Sequence, residues 1–71
     1  MEREDVNSSN IASIGYDETN QTLEIEFING SVFQYFAVPR SIYDGLMNTN
    51  SYGKYFHQNI KDVYTSAKVS K

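Results

Sequence analysis

Polar and apolar positions alternate most regularly between Gln21 and Ile28. Leu23, Ile25 and Phe27 fall on one side of an extended chain, and Thr22, Glu24 and Glu26 on the other. A period of two marks a half-buried antiparallel strand. Asn29-Gly30, the strongest short hairpin signal, follows, and Ser31 to Val38 reads as the returning strand, rich in aromatic and β-branched residues. Upstream, Val6 to Tyr16 reads as a first strand; Ile11 and Ile14 are apolar, but the alternation is weak. It closes on the turn cluster Asp17-Glu18-Thr19-Asn20. At Pro39 the period changes. Proline suits a first helical position, where its missing N–H would lack a partner anyway. Ile42, Tyr43, Leu46 and Met47 then mark an amphipathic helix ending near Asn48. Thr49-Asn50-Ser51 is a polar break, with Asn50 or Ser51 available to cap a second helix. On that helix Tyr52, Phe56, Ile60 and Val63 share one arc, and Lys54, His57, Gln58 and Lys61 take the other side. The expected fold is α+β: a three-stranded antiparallel β-meander packed on one face by two C-terminal helices, in the order βββαα. Residues 1–5 are expected to be a flexible lead, 6–64 a single domain, and 65–71 a loose polar tail.

Asn29-Gly30 leaves two hairpin registers open. A two-residue turn pairs Ile28 with Ser31 and puts Phe33 and Tyr35 on the face of Glu24 and Glu26. A three-residue loop with a bulge at Gly30 pairs Phe27 with Ser31 and moves those rings beside Leu23, Ile25 and Phe27. The second register gathers five large apolar groups, each worth about 1.5–3 kcal/mol on burial. Burial favours the bulge.

Composition sharpens that argument. A chain of 71 residues buries only about 60% of the surface its unfolded state exposes, so a domain of this size needs reinforcement. It has no cysteine for disulfides or thiolate metal sites, and its one histidine is too few for a structural zinc. No metal and no cofactor are expected. Six tyrosines and four phenylalanines remain as core material. No apolar run reaches the roughly 20 residues of a membrane span, and the charged start Met1-Glu2-Arg3-Glu4-Asp5 lacks the apolar stretch of a signal peptide. A cytoplasmic location away from membranes is the expectation. The net charge of −3 speaks against strong non-specific nucleic-acid binding. It is unevenly spread: residues 1–35 carry seven acids against Arg3 alone (−6), and residues 36–71 carry five bases against two acids (+3). Such asymmetry can mark an interaction surface.

The run Gly15-Tyr16-Asp17, Leu23-x-Ile25-x-Phe27-x-x-Gly30, Phe33-x-Tyr35-x-x-Val38-Pro39, Ser51-x-Gly53-x-Tyr55-Phe56, Ile60 and Tyr64 resembles the KTSC domain over residues 6–64. That family is named for its place at the C-terminus of some lysyl-tRNA synthetases and also occurs as free-standing bacterial and phage proteins. The stand-alone form is the one resembled here. The family's central Tyr-x-Tyr appears as Phe33-Gln34-Tyr35, without the first hydroxyl. The resemblance implies no established biochemical activity; RNA binding is suggested for the family by its attachment to a tRNA-handling enzyme.

Two partner classes follow as expectations. RNA is the first, contacted through the basic side of the second helix: Lys54 and Lys61 with His57 and Gln58 between them, extended by Arg40 and Lys68, against the plainer reading of a solvated helix face. The rings from Tyr16 to Tyr64 suit burial better than base stacking. The alternative is a protein partner on the outer sheet face (Val32, Gln34, Phe36) or its edges. His57 has lysines rather than carboxylates as helical neighbours, and Glu24 and Glu26 read as solubilising, so no catalytic residue is expected and the chain is not expected to be an enzyme.

Overall fold

The computed structural model describes residues 1–70. One antiparallel sheet has the order β1-β2-β3-β4-β5, made of Glu4–Asp5, Ile11–Asp17, Thr22–Phe27, Val32–Tyr35 and Ser66–Ser70. Helices α1 (Arg40–Asn48) and α2 (Tyr52–Asn59) lie between β4 and β5 in the chain. The α+β class is as expected, but the sheet has five strands rather than three.

Both additional strands lie where the hydrophobic pattern is silent. Residues 66–69 are all exposed, yet this segment pairs with β4, Phe33 opposite Lys68 and Tyr35 opposite Ser66. An edge strand bonded on one side only can leave its side chains in water, so no alternation betrays it. The expected loose tail is therefore a strand; Lys71, included in that expectation, lies outside the described residues. Glu4 and Asp5 pair with Ile14 and Ser13 in the same way, so the lead expected to be flexible ends in a short edge strand.

The hairpin takes the bulged register. The Phe27 N–H donates to the Ser31 carbonyl at 2.8 Å, and the Gly30 N–H to the Phe27 carbonyl at 2.9 Å. Gly30 has φ +93°, a conformation that favours glycine. Leu23 then lies opposite Tyr35 and Ile25 opposite Phe33, so all five large apolar side chains face the helices. The weak alternation of β2 has a cause of the same kind. Its register shifts between Ile11, opposite Phe27, and Ser13, opposite Glu26. The extra residue at this bulge puts Ile11 and Ile14, three apart, on one face, where both are fully buried.

Pro39 is extended (ψ 154°) and stands just ahead of α1 rather than within it. Ser51 caps α2, its Oγ accepting the Lys54 N–H at 3.3 Å. The helix stops at Asn59: the Ile60 and Lys61 N–H groups both donate to the Phe56 carbonyl, at 3.0 and 2.9 Å, and Asp62 takes φ +62°. Ile60 is still buried, but Val63 is 60% exposed instead of continuing the apolar arc. The core joins Ile11, Ile14, Leu23, Ile25 and Tyr35 of the sheet to Val38, Leu46, Phe56 and Ile60.

Candidate functional site

Because the strands lie side by side in chain order, the charge asymmetry of the sequence becomes a gradient across the sheet. Residues 1–35 supply β1 to β4, with their acids on β1, at the β2–β3 turn and on β3, and residues 36–71 supply both helices, the turn after α2 and β5 with its lysine. Not every base is available. Arg3 pairs with Glu24 and Glu26, and Arg40 is held by Glu18 (2.7 Å) and Asp44 (3.1 Å) beside the Tyr43 ring. Among the described residues Lys54, Lys61 and Lys68 have no carboxylate partner.

Two of those three lysines meet at one place. A cleft of about 800 Å³ opens between the inner face of the sheet and the end of α2, at the hairpin end of the molecule. Its floor is aromatic. Phe33 and Tyr35 lie nearly parallel, ring centres 6.4 Å apart, and Phe56 meets Phe27 and Tyr35 edge-on at 5.4 and 5.6 Å. His57, Lys61 and Lys68 stand around it with Asp62, Asn10 and Asn29. The three cationic or titratable groups reach the same opening from α2, the following turn and β5. Gly53 lines it as well; a Cβ there would come within 2.7 Å of the Asn10 amide nitrogen, so the glycine lets the 8–11 loop lie against α2.

Tyr35 is buried, and no hydrogen bond to its hydroxyl occurs among the described residues. None of their buried side-chain polar atoms is left without a partner, so this hydroxyl is in reach of solvent, on a residue that lines the cleft. Burial, with the negative charge of Asp62 nearby, pushes its pKa up to about 12. It is therefore a neutral donor at ordinary pH.

The residues singled out from the sequence divide accordingly. His57 and Lys61 line the cleft; Lys54 and Gln58, on α2, do not, and Arg40 is engaged elsewhere. The pattern of two lysines on one helical face is altered because α2 ends two residues before Lys61. Lys68 is central instead, directly across from Phe33. Its position depends on β5, which sequence periodicity does not reveal. Asn10 carried no sequence signal at all.

The opposite face of the sheet is a closed polar network. Arg3 bonds Glu24 and, at 2.9 Å, Ser13; Ser13 donates to Glu26 at 2.9 Å; Gln34 donates to Glu24 at 2.8 Å. Glu24 is 7% exposed and so is structural rather than solubilising. Burial alone would raise its pKa, but hydrogen bonds from Gln34 and Arg3, with the Arg3 charge, outweigh it and hold the carboxyl below its usual range. Gly15 makes this possible: a Cβ there would press on the Glu2 carbonyl and the Arg3 stem. Of the outer-face trio, Val32 is buried and Gln34 engaged, leaving Phe36 partly exposed.

The KTSC domain model matches residues 7–64 of the chain. The chain belongs to the KTSC domain family. A crystal structure of a KTSC domain protein from Yersinia pestis superposes with a TM-score of 0.92 at 39% identity, covering 96% of both chains. An uncharacterized protein of Stutzerimonas stutzeri is 39% identical over 61 residues, 86% of each chain. A lysine–tRNA ligase of Trichormus variabilis is 44% identical over 55 residues, which are 78% of this chain and 10% of the ligase.

Most family-pattern residues of this KTSC domain serve the frame. Tyr16 stacks on Tyr43 at 4.7 Å and donates to the Val38 carbonyl at 2.6 Å, tying β2 to the chain ahead of Pro39. Gly30 turns the hairpin, Ser51 caps α2, Tyr55 packs against α1 and Tyr64 packs on the core. Phe33, Tyr35, Gly53 and Phe56 shape the cleft. Among the described residues no helix is long and apolar enough to cross a membrane, and no cluster of His, Cys, Asp or Glu offers a metal site.

Proposed function

We propose that this KTSC domain is a non-catalytic RNA-binding module whose contact surface is the cleft rather than the exposed side of α2. One observation carries the reading: His57, Lys61 and Lys68, drawn from three separate segments, converge on an opening with an aromatic floor. Positive groups neutralise phosphates and release counterions, while aromatic faces accept bases. The acids of β1, the β2–β3 turn and β3 lie away from β5 and favour approach of a polyanion from the β5 side. Kinship with segments of lysine–tRNA ligases is consistent with an RNA partner.

The test is a titration of fluorescently labelled RNA. With two or three phosphate contacts, affinity should fall about 7- to 20-fold between roughly 50 and 200 mM salt. The pair Lys61→Glu and Lys68→Glu should abolish binding, and Lys54→Glu should reduce it only slightly. Equal loss from Lys54→Glu would return the contact surface to the helix face. Absence of binding at low salt would refute an RNA partner.

A further inference from the structure

We propose that the cleft holds one unpaired nucleotide, its base laid on the Phe33 ring and its phosphate held between Lys61 and Lys68, so that the RNA recognised is single-stranded. This rests on the RNA-binding reading above and narrows it.

Three features of the cleft support this mode. Its floor offers one accessible ring: Phe33 is only partly buried, and the buried Tyr35 ring, stacked against it at 6.4 Å, holds it in place. In a duplex the base faces are covered by neighbouring pairs, so only an unstacked base can reach such a surface. The ladder places Lys68 directly opposite Phe33 on the same side of the sheet. A base on Phe33 therefore carries its phosphate close to the Lys68 ammonium, with Lys61 and His57 on the opposite wall. Finally, the cleft contains polar groups able to meet the edge of a base. Tyr35, whose hydroxyl has no hydrogen-bond partner among the described residues and is free to donate, lines it with Asn10 and Asp62, which can accept. At about 800 Å³ the space lies within the roughly 300–1,000 Å³ typical of small-ligand pockets.

The experiment compares a labelled single-stranded RNA octamer with the same strand annealed to its complement, at low salt. Wild type should bind the single strand at least about 10-fold more tightly than the duplex. Phe33→Leu should weaken single-strand binding about 10-fold or more, the order expected for losing one stacked base, and leave duplex binding unchanged. Tyr35→Phe, which keeps the ring, should bind the single strand more weakly while melting like wild type. Equal affinity for the two RNAs, or unchanged single-strand binding by a folded Phe33→Leu variant, would overturn the nucleotide pocket. In that case loss of binding in the Lys61→Glu, Lys68→Glu pair would still uphold the RNA-binding surface. No binding of either RNA would end both.

Discussion

A Cβ on Gly45 would overlap the hydroxyl end of the Tyr55 ring, so α1 and α2 approach each other over a residue with no side chain. Gly45→Ala should destabilise the fold by up to about 2 kcal/mol. Overpacking costs roughly 1–3 kcal/mol, more than the ~1 kcal/mol that alanine gains over glycine within a helix. In a Tyr55→Leu background, where the obstructing ring end is gone, the same substitution should stabilise by about 0.5–1 kcal/mol. Chemical denaturation of the four proteins in this cycle checks the reversal of sign.

The Arg3–Glu24 pair predicts an acid sensitivity. Glu24 titrates below its ordinary value of 4.5 in the folded protein. Its stabilisation is thus fully present above that value and drains away as pH falls through the lowered folded-state pKa. Asp17, held low by hydrogen bonds from Asn20 and Thr19, acts in the same direction. Thermal melts from pH 6 to pH 2.5 should therefore be flatter for Glu24→Gln than for wild type, without becoming level. Arg3→Ala should cost about 1–3 kcal/mol at neutral pH, because it strips partners from a buried carboxylate. A neutral-pH melt identical to wild type would show that β1 does not hold the sheet.

Tyr35 predicts the opposite limb. With its folded-state pKa at about 12 against an ordinary 10.0, the phenol favours the folded state fully below 10, and that contribution is lost as pH rises toward 12. An ultraviolet titration of tyrosinate should lose its ring near pH 12 in Tyr35→Phe, while Tyr16, also shifted upward by burial, still ionises late. That variant should also lose less stability than wild type between pH 9 and pH 11.

What the sequence made legible was whatever burial writes into periodicity. The alternation of Leu23, Ile25 and Phe27 and the need to bury Phe33 and Tyr35 led to the correct hairpin register. The apolar spacing of α1 was equally readable, and that of α2 as far as Ile60, beyond which the expected arc fails at Val63. β1 and β5 were not, because their side chains lie in water and their hydrogen bonds are made by the backbone. The site suffered directly from that gap. His57 and Lys61 were singled out for a shared helix face that ends too early to include Lys61, while Lys68 gained its place only through pairing with Phe33. Glu24 and Glu26 looked like surface charge because their partner, Arg3, comes from a segment with no pattern of its own.

Amide chemical shifts of the isotope-labelled domain, mapped as a short single-stranded RNA is added at low salt, show which surface the RNA touches. With RNA in the cleft, shifts should cluster at residues 27–33, at His57 and Lys61, and at residues 66–68. Lys54, Arg40 and the Arg3–Glu24 network should stay still. Shifts centred on Lys54 and Gln58, or spread evenly over the surface, would contradict it.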